Sequence, residues 1–486
     1  MTDYATEEGT KRYFEKILKR YPQYQNTTLF RKIPHLDFFP SLIGFGTYRV
    51  HYQKREHFES IREAILGGVN VIDTASNFSD GGAEVLIGNV LNELLQAKRI
   101  QRDEVVIISK AGYHQGKQIK LFSEKKFRDM FLLGDRLYYC IHPDFLELQI
   151  QLSLKRLKLR TLDVFLLNNP ELLLKVHEDE KVVLKKIESA FDFLEKLRSQ
   201  KLIRYYGISS NGLVYPRNHP EFLDFTKIMK IAKEGFKVLQ FPANLLETGF
   251  QSSYLPYQGK SLIDLANEKN LWVISQRPFN AIFKEKVFRF ATLPQRNFEQ
   301  DKEPETYLSF LEEQILYLED LIRKELSSKY FEYRDELSPY EVLKFYRDRI
   351  EDPEVVFEFI KEISHYIRKS VSQLRFFLEI HKLQNSEIKI IFDMYIKYLN
   401  AYLGYLPKYV LYKNHLKMEK IERTLAKLHP VLSQMPLSLQ VVYLLLNFGI
   451  STVLIGMRKV SYVQQMLEVF TFPLTDKKIL DAKSKK

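Results

Sequence analysis

The sequence predicts an α/β fold: a (β/α)8 TIM barrel with a large all-α insertion between strand 7 and helix 7. Three observations predict it. From residue 41 onward, short β-branched apolar runs alternate with longer amphipathic stretches, the pattern of successive βα units. The alternation is interrupted once, over residues 283–435, where a βα loop ordinarily takes about 2–6 residues. The 486 residues also exceed the roughly 250 that such a barrel usually needs, so the excess has to lie in an insertion or a second domain.

The strand candidates are SLIGFG (41–46), NVIDTA (70–75), VVIISK (105–110), LDVFLLN (162–168), IRYYGIS (203–209), KVLQFP (237–242), LWVISQ (271–276) and TVLIGM (452–457). Each is dominated by Val, Ile, Leu and Phe, as a strand buried on both faces should be. Helix candidates fall near 57–67, 83–96, 143–158, 181–200, 218–234, 260–270, 438–448 and 460–469. Strands and helices in strict alternation favour a closed barrel, although periodicity alone does not prove closure. Residues 1–40 are expected to form an extra helix, about 9–20, and a plug or hairpin beneath the barrel; residues 41–282 and 436–475 would make the barrel itself.

The insertion reads as helices. Ser338-Pro339-Tyr340-Glu341 supplies a cap, a first-turn proline and an acid, Asp352-Pro353-Glu354 repeats the device, and Asn385-Ser386-Glu387 marks a third start. Apolar positions in YLSFLEEQILYLEDLI, VVFEFIKEISHYIRKSV and IKIIFDMYIKYLNAYL recur at three and four, so these helices have a face to bury. Because the segment leaves from the C-terminal end of a strand, it is expected on the face where barrel active sites lie, in the place of a lid.

Composition narrows the class. Hydrophobic residues make up 45% and charged residues 28%, the balance of an ordinary globular protein. No run of about 18 uncharged apolar residues appears, and the N-terminal stretch is charged where a signal peptide would be apolar, so a cytoplasmic protein with no membrane partner is expected. The single cysteine, Cys140, excludes intramolecular disulfides and thiolate metal clusters. The formal charge of +12 suits an anionic ligand, but the basic residues are interleaved with acidic ones, and no aromatic-basic motif points to nucleic acid. The terminal Lys483-Ser484-Lys485-Lys486 reads as a solvated tail, and no His/Cys cluster calls for a metal.

In barrels the informative residues are polar ones at the C-terminal ends of strands. Strand two ends in Asp73-Thr74-Ala75 and runs into Ser76-Asn77-Phe78; strand three ends in Ser109-Lys110. An acid and an ammonium on adjacent strand ends would form a desolvated ion pair, able to shift the pKa of a third group or simply to close the barrel mouth. Gly44-Phe45-Gly46 lacks the third glycine and distant acid of a dinucleotide fingerprint and reads as close backbone packing.

The words GFGTYRV (44–50), GVNVIDTASNF (68–78), GGAEVLIGNVL (81–91), VVIISKAGY (105–113), SLKRLKLRTLDVFLLNNPE (153–171), LEKLRSQKLIRYYGISSNG (194–212) and VLIGMRKVSYV (453–463) together resemble the aldo-keto reductases. The resemblance spans all the barrel units. It implies an NADP(H)-dependent carbonyl reductase working with a tetrad of Asp, Tyr, Lys and His. In that tetrad the tyrosine donates a proton, lysine and aspartate lower its pKa, and histidine orients the substrate. Asp73 and Lys110 match the acid and the base. Phe78 stands in the tyrosine's place and Asn168 in the histidine's. Phenylalanine has no proton to give, where general acid catalysis is worth about 10²–10⁴-fold, and asparagine can hydrogen-bond but not titrate. Tyr113, His114 and His142, all after strand three, and a water held by Asn168 are the alternative proton sources; each of the three residues also has a bland reading as a loop or helix-entry residue.

The resemblance further implies that Ser209, Ser210 and Gln240 hold the nicotinamide carboxamide. It puts Arg277 near the place of an aromatic residue against the nicotinamide ring, where a guanidinium can also stack. Gly456, Arg458 and Lys459 would cradle the adenosine phosphates beside a helix N-terminus, with Arg458 and Lys459 leaning toward a 2′-phosphate. The Glu-Asn pair of the family is replaced by Gln464-Gln465. Two functions remain open: an oxidoreductase acting on a small carbonyl or sugar-like substrate with an altered proton donor, or a reductase-like scaffold that senses a nucleotide or grips a protein partner through the insertion.

Overall fold

The fold is described from a computed structural model, over residues 3–121, 127–177, 179–252, 259–283, 286–290, 304–329, 339–347, 355–380, 382 and 386–474. The chain forms two compact units, Met1–Ala281 with Leu428–Lys486, and Ile282–Lys427.

The first unit is built on a closed barrel of parallel strands: β1 (Ile43–Gly46), β2 (Val71–Asp73), β3 (Val106–Ala111), β7 (Leu162–Asn168), β8 (Ile203–Ser209), β9 (Phe236–Pro242), β10 (Trp272–Gln276) and β13 (Thr452–Ile455). Closure is decided at β1, which pairs with β13 on one side (Ile43 opposite Val453) and with β2 on the other (Gly44 opposite Val71), so neither edge is left open. Gly44 packs closely there, since a Cβ would stand 2.7 Å from the end of the Leu454 side chain, which would have to shift. The helices that follow these strands in turn are α2 (Arg55–Gly67), α3 (Gly82–Gln96), α5 (Pro143–Leu157), α6 (Glu180–Ser199), α7 (Phe225–Ile231), α8 (Leu262–Glu268), α13 (Leu437–Asn447) and α14 (Val460–Leu467).

Two departures from the sequence reading have local causes. The helix expected over 218–234 is confined to Phe225–Ile231, because Asp224 takes an extended conformation and its carboxylate accepts from the N–H groups of Thr226 and Lys227, starting the helix there. Strands outside the barrel were also not anticipated. After β3 and a single residue, β4 (Tyr113–Gln115), β5 (Phe131–Gly134) and β6 (Leu137–Tyr139) form a small antiparallel sheet, with α4 (Lys117–Leu121) between the first two. A hairpin, β11 (Asn280–Phe283) with β12 (Lys286–Arg289), follows β10.

Inside the barrel lies an apolar layer of Val71, Val106, Ile108, Val164, Leu166, Val238, Trp272, Ile274 and Leu454, joined from the N-terminal segment by Ala5, Ile33, Leu36 and Phe38. Phe38 packs edge-on against both Tyr205 (5.9 Å) and Trp272 (5.6 Å). The helix α1 (Glu7–Arg20) is tied down by two buried carboxylates. Glu104 accepts from Arg12 and Lys16, and Asp163 accepts from the backbone of Ala5 and Ile107 and from Arg102. Removing one member of such a network strands the others in low dielectric.

The second unit contains α9 (Pro304–Lys329), α10 (Pro339–Arg347), α11 (Val355–Ile380) and α12 (Ser386–Ala426). Its own core includes Leu311, Ile315, Leu318, Phe392, Leu399 and Leu406. A partly buried and a buried carboxylate on α9 fix its register against α12: Glu312 accepts from Tyr402 and Glu319 from Tyr395. The predicted cap residues Ser338, Asp352-Pro353-Glu354 and Asn385 lie outside the described residues, as does the terminal lysine-rich tail. No described helix is long and apolar enough to cross a membrane.

Candidate active site

Side chains on a strand alternate faces, so the apolar layer fixes what lines the barrel mouth. Two residues beyond Val71, Ile108, Leu166, Val238, Ile274 and Leu454 stand Asp73, Lys110, Asn168, Gln240, Gln276 and Gly456. The same alternation brings Ser209 to the mouth from β8 and Gly46 from β1. The C-terminal ends of the barrel strands therefore present a polar ring with a gap at two glycines, a Cβ at Gly456 meeting nothing nearer than the Gly46 carbonyl at 3.9 Å.

The ring residues are bonded to one another. The Lys110 ammonium donates to Asp73 Oδ1 at 2.5 Å, the Gln240 amide donates to the same oxygen at 2.8 Å, and the Ser209 hydroxyl donates to Gln240 Oε1 at 2.6 Å. Lys110 is 2% exposed; burial pulls its pKa below the usual lysine range, and the Asp73 charge opposes that pull. Asn168 is buried at the mouth, with the Tyr139 hydroxyl bonded to its carbonyl oxygen, and its side-chain amide makes no hydrogen bond among the described residues.

Above the pair, Phe78 opens the β2–α3 connection, and its ring lies 5.5 Å from Lys110 Nζ. Ser79 and Asp80 follow at positive φ (50° and 56°), and the Ser79 hydroxyl bonds the Val50 carbonyl, fastening this turn to the β1–α2 connection. From that connection Tyr48 packs edge-on to Phe78 at 5.1 Å. Across β3, Tyr113 accepts a hydrogen bond from Asn169, and burial, with Glu171 and Glu221 nearby, pushes its pKa up to about 12. His114 packs edge-on to Phe145 within the small sheet, and His142 caps α5, so neither stands in the ring.

The remaining sequence-predicted residues separate into two groups. Ser210 and Arg277 are each one residue past a ring position and are engaged elsewhere: the Ser210 hydroxyl donates to Glu171 at 2.7 Å, and Arg277, at φ 56°, pairs with Glu247 at 2.7 Å. Arg458 and Lys459 lie just beyond Gly456, where α14 starts without a side-chain cap. Among the described residues no group of three His, Cys, Asp or Glu could hold a metal ion.

The first seven barrel strands and the buried Asp73–Lys110 pair at the mouth fall within residues 42–292, which match a family model, Aldo/keto reductase family. The chain belongs to the aldo/keto reductase family. Among curated proteins it is similar to the NADH-specific methylglyoxal reductase of Escherichia coli (strain K12), 28% identical over 147 residues, covering 28% of this chain and 41% of that one. It is also similar to the uncharacterized oxidoreductase YqkF of Bacillus subtilis (strain 168), 24% identical over 201 residues, 41% of this chain and 54% of that one. The chain thus spans about half or less of the length of these relatives. Among solved structures it is similar to the glycerol dehydrogenase AKR11B4 from Gluconobacter oxydans (16% identity, 94% of each chain, TM-score 0.47). An aldo/keto reductase from Klebsiella pneumoniae in complex with NADP and acetate is another (21% identity, 49% of this chain and 64% of that one, TM-score 0.31).

Within this aldo/keto reductase, three residues at the mouth escaped the sequence reading. Gln276 completes the ring and follows from the same two-residue alternation as Gln240. Tyr48 was visible in the GFGTYRV word, but nothing local says that its ring will meet Phe78. Glu171 was quoted in LLNNPE; its carboxylate accepts from the Ser210 hydroxyl and the Asn211 backbone, a contact made possible by the left-handed Asn169 (φ 53°), which turns the chain back toward β8.

Proposed function

We propose that the chain is an NADP-dependent oxidoreductase that interconverts carbonyls and alcohols on small, sugar-like or other carbonyl substrates, in the cytoplasm, with a proton donor other than the family's tyrosine. The observation that carries this reading is the buried chain Lys110–Asp73–Gln240–Ser209 across the barrel mouth. A desolvated ammonium is costly unless it is paired, as Lys110 is with Asp73, and such a perturbed pair at a barrel mouth marks a functional site.

The residues present fit a dinucleotide. The gap at Gly46 and Gly456 would admit a flat or extended group against backbone, and Arg458, Lys459 and the uncapped start of α14 would hold phosphates. Ser209 and Gln240 would hold the carboxamide at little cost, because a bound amide replaces the hydrogen bond they make with each other. Arg277 would reach the nicotinamide only by leaving Glu247. When bound, the reduced nicotinamide supplies a hydride. Lys110, kept charged by Asp73, stabilises negative charge that grows on the carbonyl oxygen, and the Asn168 amide donates a hydrogen bond to that oxygen.

A second reading has one observation in its favour: the ring of Phe78 lies beside Lys110 where the family's tyrosine would reach it, which suits a scaffold that senses a nucleotide or holds a protein partner through its helical unit. Turnover separates the two. The reductase reading expects NADPH-dependent reduction of at least one aldehyde, ketone or sugar lactol by the wild-type chain, with Lys110→Met lowering kcat by about 10²-fold or more. A wild-type chain inactive on every carbonyl tried, but awakened by Phe78→Tyr with Asn168→His, would favour the scaffold.

A further inference from the structure

We propose that Tyr48 is the proton donor of this site, supplying from the β1–α2 connection the phenol that position 78 lacks. The inference rests on the reductase reading above and deepens it. Phe78 fills the donor's place with a ring 5.5 Å from Lys110 Nζ, so any replacement has to stand around that ring. Tyr48 does so. Its ring meets Phe78 at 5.1 Å and 80°, edge-on.

The turn that carries Tyr48 is anchored to the site from two directions. Thr47 bonds the Asp73 carbonyl through both its backbone N–H and its hydroxyl, and Ser79, next to Phe78, bonds the Val50 carbonyl. Tyr48 therefore sits between two residues that are tied to the strand bearing Asp73 and to the loop bearing Phe78. Its hydroxyl makes no hydrogen bond among the described residues, which leaves it available to a substrate oxygen.

Two other phenols described at the mouth are less suited, and the first, Tyr139, has its hydroxyl held by the Asn168 backbone carbonyl. Tyr113 has its hydroxyl engaged with Asn169, and its burial among the carboxylates Glu171 and Glu221 opposes the phenolate that proton donation leaves behind. Tyr48 instead contacts the same Phe78 ring that lies 5.5 Å from Lys110 Nζ. Tyr48 is also 68% exposed, so water can return the proton without a relay.

The step balances. As hydride from a reduced nicotinamide dinucleotide adds to the carbonyl carbon, the C=O π bond breaks and the oxygen takes the Tyr48 Oη proton. The substrate gains two electrons and becomes an alcohol, the dinucleotide is oxidised, and the phenolate is reprotonated from solvent.

The test compares wild type, Tyr48→Phe, Tyr113→Phe and Tyr48→Phe with Phe78→Tyr, each measured for NADPH affinity by calorimetry and for kcat and KM on a small aldehyde across pH. The expected result is a loss of about 10²–10⁴-fold in kcat for Tyr48→Phe, with NADPH affinity unchanged. Tyr113→Phe should stay within about threefold of wild type, and Phe78→Tyr in the Tyr48→Phe background should recover at least about tenfold. A kcat for Tyr48→Phe close to wild type, or a loss that follows Tyr113→Phe instead, overturns the assignment of Tyr48 while leaving the reductase reading intact. A wild-type chain that binds NADPH and reduces no carbonyl overturns both.

Discussion

Glu171 shows what one buried carboxyl does to this site. It is 1% exposed, has hydrogen bonds from Ser210 and Asn211 and no ion pair among the described residues, and burial pushes its pKa up to about 7 despite those bonds. A carboxyl raised in the folded state favours folding below its unfolded pKa of roughly 4.3, and that contribution is lost as pH climbs through about 7. The swing is on the order of 3 kcal/mol. Glu171→Gln keeps an acceptor but cannot ionise, so it should gain stability relative to wild type between pH 5 and 8, read as diverging denaturant midpoints; parallel midpoints would remove the carboxyl from the account. At this scale the sequence was informative wherever strand periodicity alone places a side chain, as for Asp73, Lys110, Asn168 and Gln240. It was silent wherever backbone turns decide, as at Asn169, which brings Glu171 beneath Ser210, and at Ser79 and Asp80, which fasten Phe78 beside the turn bearing Tyr48.

Among elements, the barrel strands were legible because burial on both faces leaves short apolar runs that recur in alternation with amphipathic stretches. The small sheet of β4, β5 and β6 was not, since its three- and four-residue strands are of mixed burial and composition, and its pairing of Tyr113 with Tyr139 reaches past α4 and β5. Helix packing carries a sharper expectation. In the middle of α3, Gly88 faces the end of α5 so closely that a Cβ would stand 2.5 Å from the Arg156 carbonyl oxygen and 2.9 Å from the Leu157 backbone. Alanine there gains about 1 kcal/mol of helix propensity, but forcing two backbones apart costs about 1–3 kcal/mol, so the clash should win or at best break even. Gly88→Ala should therefore lower the thermal midpoint; a clear rise would mean that α3 and α5 do not approach as described.

For the whole molecule, the interruption after β10 was legible as a count of residues, and helical periodicity named its class. The antiparallel register of α9 and α12 was not, because it depends on Glu312 meeting Tyr402 and Glu319 meeting Tyr395 across a long separation in sequence. The formal charge of +12 is spread over the chain, yet Arg458 and Lys459 fall beside the glycine gap, which is where a polyanionic ligand would want them. The most direct measurement is a calorimetric titration of the full chain with NADPH and with NADH, repeated on Gly456→Val, a change that the open space around Gly456 should let fold. The account predicts one-site NADPH binding by wild type, weaker binding of NADH, and at least about tenfold weaker NADPH binding by the variant, equivalent to about 1.4 kcal/mol. Binding of neither nucleotide by wild type, or undiminished binding by Gly456→Val, would contradict it.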